Sequence, residues 1–102
     1  MYKLEFSKSF IIDQTVALEY ISLMLINPIA SKKLRNKINE RIDAISIFPE
    51  GFPIFDTEGK TEFIYRKVRV GNYLILYRFD NDVIHFSRFV YAKRDLENIE
   101  LD

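Results

Sequence analysis

Between Glu62 and Asp95 the chain reads EFIYRKVRVGNYLILYRFDNDVIHFSRFVYAKRD, and this stretch restricts the possible folds more than any other. Its β-branched and aromatic residues fall into three runs, separated by Gly71-Asn72 and by Asp80-Asn81-Asp82, which is the pattern of two successive hairpins. A two-residue loop at Gly71-Asn72 sets Val70 opposite Tyr73. Arg69 then faces Leu74, Val68 faces Ile75, Lys67 faces Leu76, Arg66 faces Tyr77 and Tyr65 faces Arg78. Side chains alternate across a strand, so Val68, Val70, Tyr73, Ile75, Tyr77 and Phe79 share a core face. Tyr65, Lys67, Arg69, Leu74, Leu76 and Arg78 share the other, a cationic surface with apolar and phenolic groups set into it. A tight second turn at Asn81-Asp82 adds Ile84, Phe86 and Val90 to the core face, and His85, Ser87, Phe89, Tyr91 and Lys93 to the basic one. A bulge would exchange these assignments, because a slip of one residue reverses every side chain.

A chain of 102 residues suits one domain, 1–102, burying ~65% of the surface its unfolded form exposes. Without cysteine there is no disulfide framework, thiolate metal site or cysteine nucleophile, and a single histidine argues against a multi-His metal site; neither a metal nor a cofactor is expected. Basic and acidic residues balance at 15 each, so the overall field does not steer the protein toward nucleic acid. The distribution is uneven. Lys60, Arg66, Lys67, Arg69, Arg78, Arg88, Lys93 and Arg94 meet only Glu62, Asp80 and Asp82 across 60–94, whereas 95–102 hold four acids and no base. An acidic tail can therefore shield part of a basic sheet. The N-terminal MYKLEFSK alternates and is charged, unlike a signal peptide, and the apolar window 16–26 falls short of the roughly 20 residues a membrane span needs. A soluble cytoplasmic protein is expected.

Tyr2, Leu4 and Phe6 alternate with Lys3 and Glu5, predicting a short first strand. Ser7 or Ser9 caps a helix running to about Ile26, with Ile12, Val16, Tyr20 and Leu23 or Met24 as the stripe against the sheet. Ala17, Ile21, Met24 and Leu25 widen that stripe; the second helix covers the excess, or the excess forms a partner groove. Asn27-Pro28 opens the second helix, whose core stripe is Ile29, Leu34, Ile38, Ile42 or Ile45, and Phe48, with Lys32, Lys33, Arg35, Lys37 and Arg41 off it. Pro49 ends that helix, and the segment holding Gly51, Pro53 and Gly59 shows no periodicity. Its carboxylates Glu50, Asp56 and Glu58 read as solvated, with general bases as the alternative. Asp95 is placed to cap a short terminal helix, DLENIEL, whose Leu96 and Ile99 dock on the sheet and which frays for want of length. The fold class is α+β, β-α-α-β-β-β with that last short helix, a two-helix hairpin on an antiparallel sheet.

The run from Arg66 to Asp95 resembles the C-terminal half of the RelE/ParE toxin superfamily, more closely its ParE-like branch. The matching positions are Gly71, Tyr73, Ile75 and Tyr77, then Arg88, Tyr91, Arg94 and Asp95, and IFPEGFP (47–53) is similar to the family's link from second helix to second strand. The resemblance implies the toxin of a type II toxin–antitoxin pair, of the kind tied to growth inhibition and plasmid stabilization, held inactive by a cognate antitoxin protein, as a homodimer or as a heterotetramer with it. Two activities occur in the superfamily. RelE-like nucleases cleave mRNA on the ribosome without a metal, and in them an arginine follows the tyrosine of the central strand; here that position is Leu74. A leucine neither neutralises a phosphate nor donates a hydrogen bond. The run Asn72 to Arg78 is instead similar to ParE-like members, which poison DNA gyrase without catalysing a reaction.

On the gyrase reading Lys67, Arg69, Arg78, Tyr91, Lys93 and Arg94 bind target or antitoxin. On the nuclease reading the candidates are Lys67, Arg69, Arg78, His85, Tyr91 and Arg94, with His85 and Arg78 as an acid/base pair and Tyr91 where the family often has histidine. Arg88 projects toward the core in this register and pairs with a helix carboxylate such as Glu19. A third reading is a non-toxic antitoxin-binding module.

Overall fold

In the computed structural model, which describes residues 2–101, the elements are β1 (Lys3–Phe6), α1 (Lys8–Glu19), a π-helical turn (Tyr20–Met24), α2 (Pro28–Ile47), β2 (Ile54–Phe55), β3 (Tyr65–Val70), β4 (Tyr73–Asp80) and β5 (Val83–Tyr91). The strands form one sheet in the order β1-β5-β4-β3-β2, and the two helices pack on one of its faces. The sheet is mixed rather than antiparallel, because β1 runs parallel to β5, from Lys3 beside Val83 to Phe6 beside Phe86. Hairpins dictate antiparallel neighbours, but nothing local specifies the direction of a strand that meets its partner some 80 residues later. The two-residue β2 was also unforeseen. Among the described residues the expected terminal helix does not form; 92–101 are turns and irregular chain.

The first hairpin has the expected register at every pair from Val70–Tyr73 to Tyr65–Arg78. Gly71 supplies a φ of 58° in its turn. In the second turn Asn81 and Asp82 take φ values of 50° and 61°, which Asn and Asp tolerate best among residues with a Cβ. Ile84 and Phe86 accordingly enter the core. Beyond Phe86 a bulge at Ser87 shifts the pairing, from Tyr77–Phe86 to Leu76–Arg88, and the faces exchange. Phe89 therefore lies opposite Ile75 in the helix-side core, Val90 crosses to the back beside Leu74, Tyr91 joins Tyr73 on the helix side, and Ser87 is buried. These four correct the unbulged assignment.

Ser7 couples three elements. Its backbone N–H donates to Phe86 O at 3.0 Å, ending β1; its hydroxyl donates to Ser87 O at 2.7 Å and accepts from Phe10 N–H at 2.9 Å, capping α1. That anchorage sets the phase of α1. Phe10, Ala17 and Leu18 are buried, while Ile12, Val16, Tyr20 and Leu23, the stripe assigned to the sheet, face outward at 49–70% exposure. The helix is apolar on several sides, so periodicity alone could not choose between them; the tether at Ser7, with Phe10 5.7 Å from the Phe86 ring, did. In α2, Leu34, Ile38 and Ile45 are buried and Ile42 partly so, whereas Ile29 and Phe48 are exposed, and the five cations off that stripe are exposed as expected. The buried Ser31 hydroxyl donates to Leu18 O at 2.9 Å and ties the helices together.

Tyr77 is fully buried, and its hydroxyl donates to Pro49 O at 2.6 Å, fastening the end of α2 to the sheet. Burial raises the phenol from 10.0 to about 12, with the Arg66 guanidinium pulling weakly the other way. An unfolded tyrosine ionises near 10, so this group's contribution is intact below pH 10 and lost as pH rises through about 12. Tyr77→Phe is expected to cost about 1 kcal/mol at pH 7 and to flatten that alkaline fall, measured by urea melts across the window.

The back of the sheet was expected to be a cationic surface and is in part a second core. Leu76, Val90 and Ile99 are buried there, with Phe55, Leu74, Leu96 and Leu101 packed around them, and Tyr65 is buried on the same face. The tail crosses this face, and Arg88 Nη1 donates to Glu100 O at 3.0 Å. Leu96 and Ile99 thus dock as expected, but as irregular chain that is anchored rather than frayed. Ile99→Ala should destabilise by about 2 kcal/mol, read from chemical denaturation.

Candidate binding face of the sheet

Cross-strand pairing arranges the back face in rows. Phe55, Tyr65, Arg78, His85 and Glu5 form one row, Lys67, Leu76 and Arg88 the next, and Arg69, Leu74 and Val90 the third. Lys67 and Arg69 are exposed, side by side on β3, with Leu74 half-buried next to Arg69. The Arg69 side chain donates to Gly71 O, which holds it along the strand end. Neither cation has a carboxylate partner among the described residues.

Arg78, His85 and Arg88 of this face, by contrast, sit beside carboxylates. Arg78 pairs with Asp80 and lies 4.2 Å over the Phe63 ring. His85, its cross-strand neighbour as expected, has Nδ1 3.6 Å from Glu5 and Nε2 3.4 Å from Asp80. Two carboxylates around the imidazole leave a negative environment, which opposes a phosphate there. Arg88 belongs by register to the back face, yet its guanidinium reaches the edge of β5 and meets a carboxylate of α1, not Glu19 but Asp13. Nε donates to Asp13 Oδ2 at 2.7 Å, Nη2 to Oδ1 at 3.0 Å, and the backbone N–H of Phe89 to Oδ2 at 3.0 Å. β1 ends at Phe6, so past Phe86 the edge of β5 is open, and the Asp13 carboxylate serves as the acceptor a further strand would have supplied.

Tyr91 does not join Lys67 and Arg69. It stands on the helix side, edge-to-face with Tyr73 at 5.7 Å, and Tyr73 in turn stacks on Phe89 at 4.8 Å. Burial raises the Tyr73 phenol, with Tyr91 and then Tyr20 adding to the rise. Arg94 lines the adjoining cleft with Asp13, Val16, Tyr20 and Tyr73, and exposed Lys93 lies beyond the end of β5. The predicted binding set therefore divides. Lys67, Arg69 and Arg78 share the back face, Tyr91 adjoins Tyr73 on the helix side, and Arg94 borders both the cleft beside α1 and a second one beside Phe55, Leu96 and Ile99. The candidate catalytic set divides in the same way, and its Arg78 and His85 are engaged with acids.

Sequence reasoning missed Arg41, Phe52, Pro53 and Leu96 as neighbours of Lys67 and Arg69. All line one open depression of about 630 Å³ with Val68, Leu74 and Ala92. Arg41 carried a signal, as the cation of α2 nearest its C-terminal end, but the site it reaches is set only by how α2 crosses the sheet. Glu50, Asp56 and Glu58 are exposed in the loop, as solvated carboxylates should be.

Among the described residues no helix is long and apolar enough to cross a membrane. A comparison with curated proteins finds no match. A solved chain of a chromosomal ParDE TA system from P. aeruginosa matches with a TM-score of 0.72 over 91% of this chain and 98% of its own, at 14% sequence identity, which establishes the shared fold. The family model described as "ParE toxin of type II toxin-antitoxin system, parDE" matches residues 4–96. With the helical hairpin, the sheet and nearly all of the chain accounted for in that match, the protein belongs to the ParE toxin family of type II toxin–antitoxin systems.

Proposed function

We propose that this toxin acts in the cytoplasm by binding DNA gyrase through the back of its sheet, without making or breaking bonds itself, and that a cognate antitoxin protein holds it inactive. The observation that carries the reading is the surroundings of Leu74. It lies between Arg69 and Val90 in an apolar patch with Leu76 and Leu96, where a phosphate-cleaving site needs a cation aimed at the developing charge. An aliphatic spot rimmed by Lys67 and Arg69 suits an acidic, partly apolar protein surface. The acids around Arg78 and His85 count further against a nuclease.

Purified toxin added to gyrase with relaxed plasmid should block supercoiling, and induced expression should arrest growth with DNA damage. Transcripts cut at translating ribosomes with gyrase unaffected would replace this reading by the mRNA endonuclease; expression without arrest would replace it by a non-toxic antitoxin-binding module.

A further inference from the structure

The outer edge of β3 is only half covered. β2 pairs with Tyr65 and Arg66 and stops there. Pro53, the next residue back, accepts the Lys67 N–H at 3.0 Å but has no N–H to return to the Lys67 carbonyl. With Val70 and Tyr73 closing the turn, the backbone groups of Val68 and Val70 point to β4, and those of Lys67 and Arg69 point outward. Among the described residues no strand lies beside Lys67 O or Arg69 N–H. The Arg69 carbonyl has an improvised partner, the Arg41 Nε of α2 at 3.2 Å. A sheet edge of this kind is a template for pairing.

The surroundings of that edge specify what it takes. The depression of about 630 Å³ runs along it, with Arg41, Phe52 and Val68 toward the helix side and Lys67, Arg69, Leu74 and Leu96 toward the back. Three cations border it, and among the described residues no carboxylate lines it. An added strand turns alternate side chains to opposite faces, so one set meets Lys67 and Arg69 while the other meets Phe52 and Val68. We propose that the open edge of β3, from Lys67 to Val70, is a strand-addition site for an extended protein segment with acidic and apolar residues in alternation. This deepens the reading that the basic face binds protein, and rests on it. Main-chain bonds to Lys67 O and Arg69 N–H provide the affinity, and the two rows of side chains provide the selection. Nucleic acid is disfavoured, since a phosphate backbone gains nothing from a row of peptide groups and the chain carries no net charge.

The probe is a labelled ten-residue peptide alternating glutamate and valine, titrated into the full-length protein. At saturation, hydrogen exchange at the Arg69 amide should slow at least tenfold, while exchange in α1 is unchanged. A lysine/valine peptide of the same length should bind at least 100-fold more weakly. Arg69→Pro, which removes the outward donor as well as the charge, should weaken binding at least tenfold beyond Arg69→Ala; exchange on the unaltered protein decides the matter if that variant does not fold. Protection confined to the helical hairpin, absence of binding at millimolar peptide, or displacement of the peptide by a single-stranded oligonucleotide of equal charge would each overturn the proposal. Gyrase inhibition with an unprotected β3 edge defeats this inference alone, whereas a protected edge without gyrase inhibition defeats the choice of target alone.

Discussion

Replacing Asp13 with alanine is expected to lower the unfolding free energy by about 3–4 kcal/mol, a large part of the roughly 5–15 kcal/mol that domains of this size possess. One carboxylate receives the Arg88 Nε, the Arg88 Nη2 and the Phe89 backbone N–H, and both side chains are largely buried, at 16% and 14% exposure. Truncation leaves a guanidinium and an edge amide without that acceptor at the place where α1 meets β5. The expense is therefore the desolvation of three N–H donors left without that acceptor rather than the worth of one ion pair. Asp13→Asn keeps an acceptor oxygen and should lose noticeably less. Urea denaturation of the three proteins measures this, and a loss below 1 kcal/mol for the alanine variant would mean that solvent or another acid replaces Asp13.

Reversing both exposed cations, in Lys67→Glu with Arg69→Glu, should weaken target binding at least 100-fold and abolish growth arrest, with stability changed by no more than about 0.5 kcal/mol. Two like-charge contacts replace two attractive ones, and a hundredfold loss needs only about 2.7 kcal/mol across the pair. Both side chains are exposed on β3 and pair with no described carboxylate, so the fold loses only the exposed hydrogen bond from Arg69 to Gly71 O. Reversing Arg78 is a poorer test, because its pairing with Asp80 and its stacking over Phe63 entangle structure with binding. Undiminished arrest by the double variant, at equal protein level, would move the target contact elsewhere, most directly to the outward stripe of α1.

The first hairpin was legible residue by residue because everything that specifies it is local. Gly71-Asn72 permits one tight turn, and alternation then assigns each side chain from Tyr65 to Arg78. The second hairpin was legible only as far as Phe86. A bulge has no reliable mark in a run of β-formers, and the one at Ser87 is fixed by Ser7 from the start of α1. Its consequences reach the site, since it moved Tyr91 from the basic face to the Tyr73 cluster and brought Val90 into the patch around Leu74. The stripe of α1 failed for a related reason. Ile12, Val16 and Tyr20 have the same spacing as a buried stripe, and only the tether of Phe10 beneath Phe86 decides which apolar side turns inward.

By itself the sequence determined the α+β class, the hairpin carrying Lys67 and Arg69 on one face, the aliphatic residue at position 74, and the family these imply, because each rests on neighbours within a few residues or on a turn of fixed length. Tertiary structure alone decided the parallel placement of β1, the bulge, the Asp13–Arg88 contact, the tail laid over Leu76 and Val90, and the uncovered edge beside Pro53. Each of these depends on which distant segments compete for the same backbone donors or the same apolar surface. That competition is settled only when the whole chain is packed.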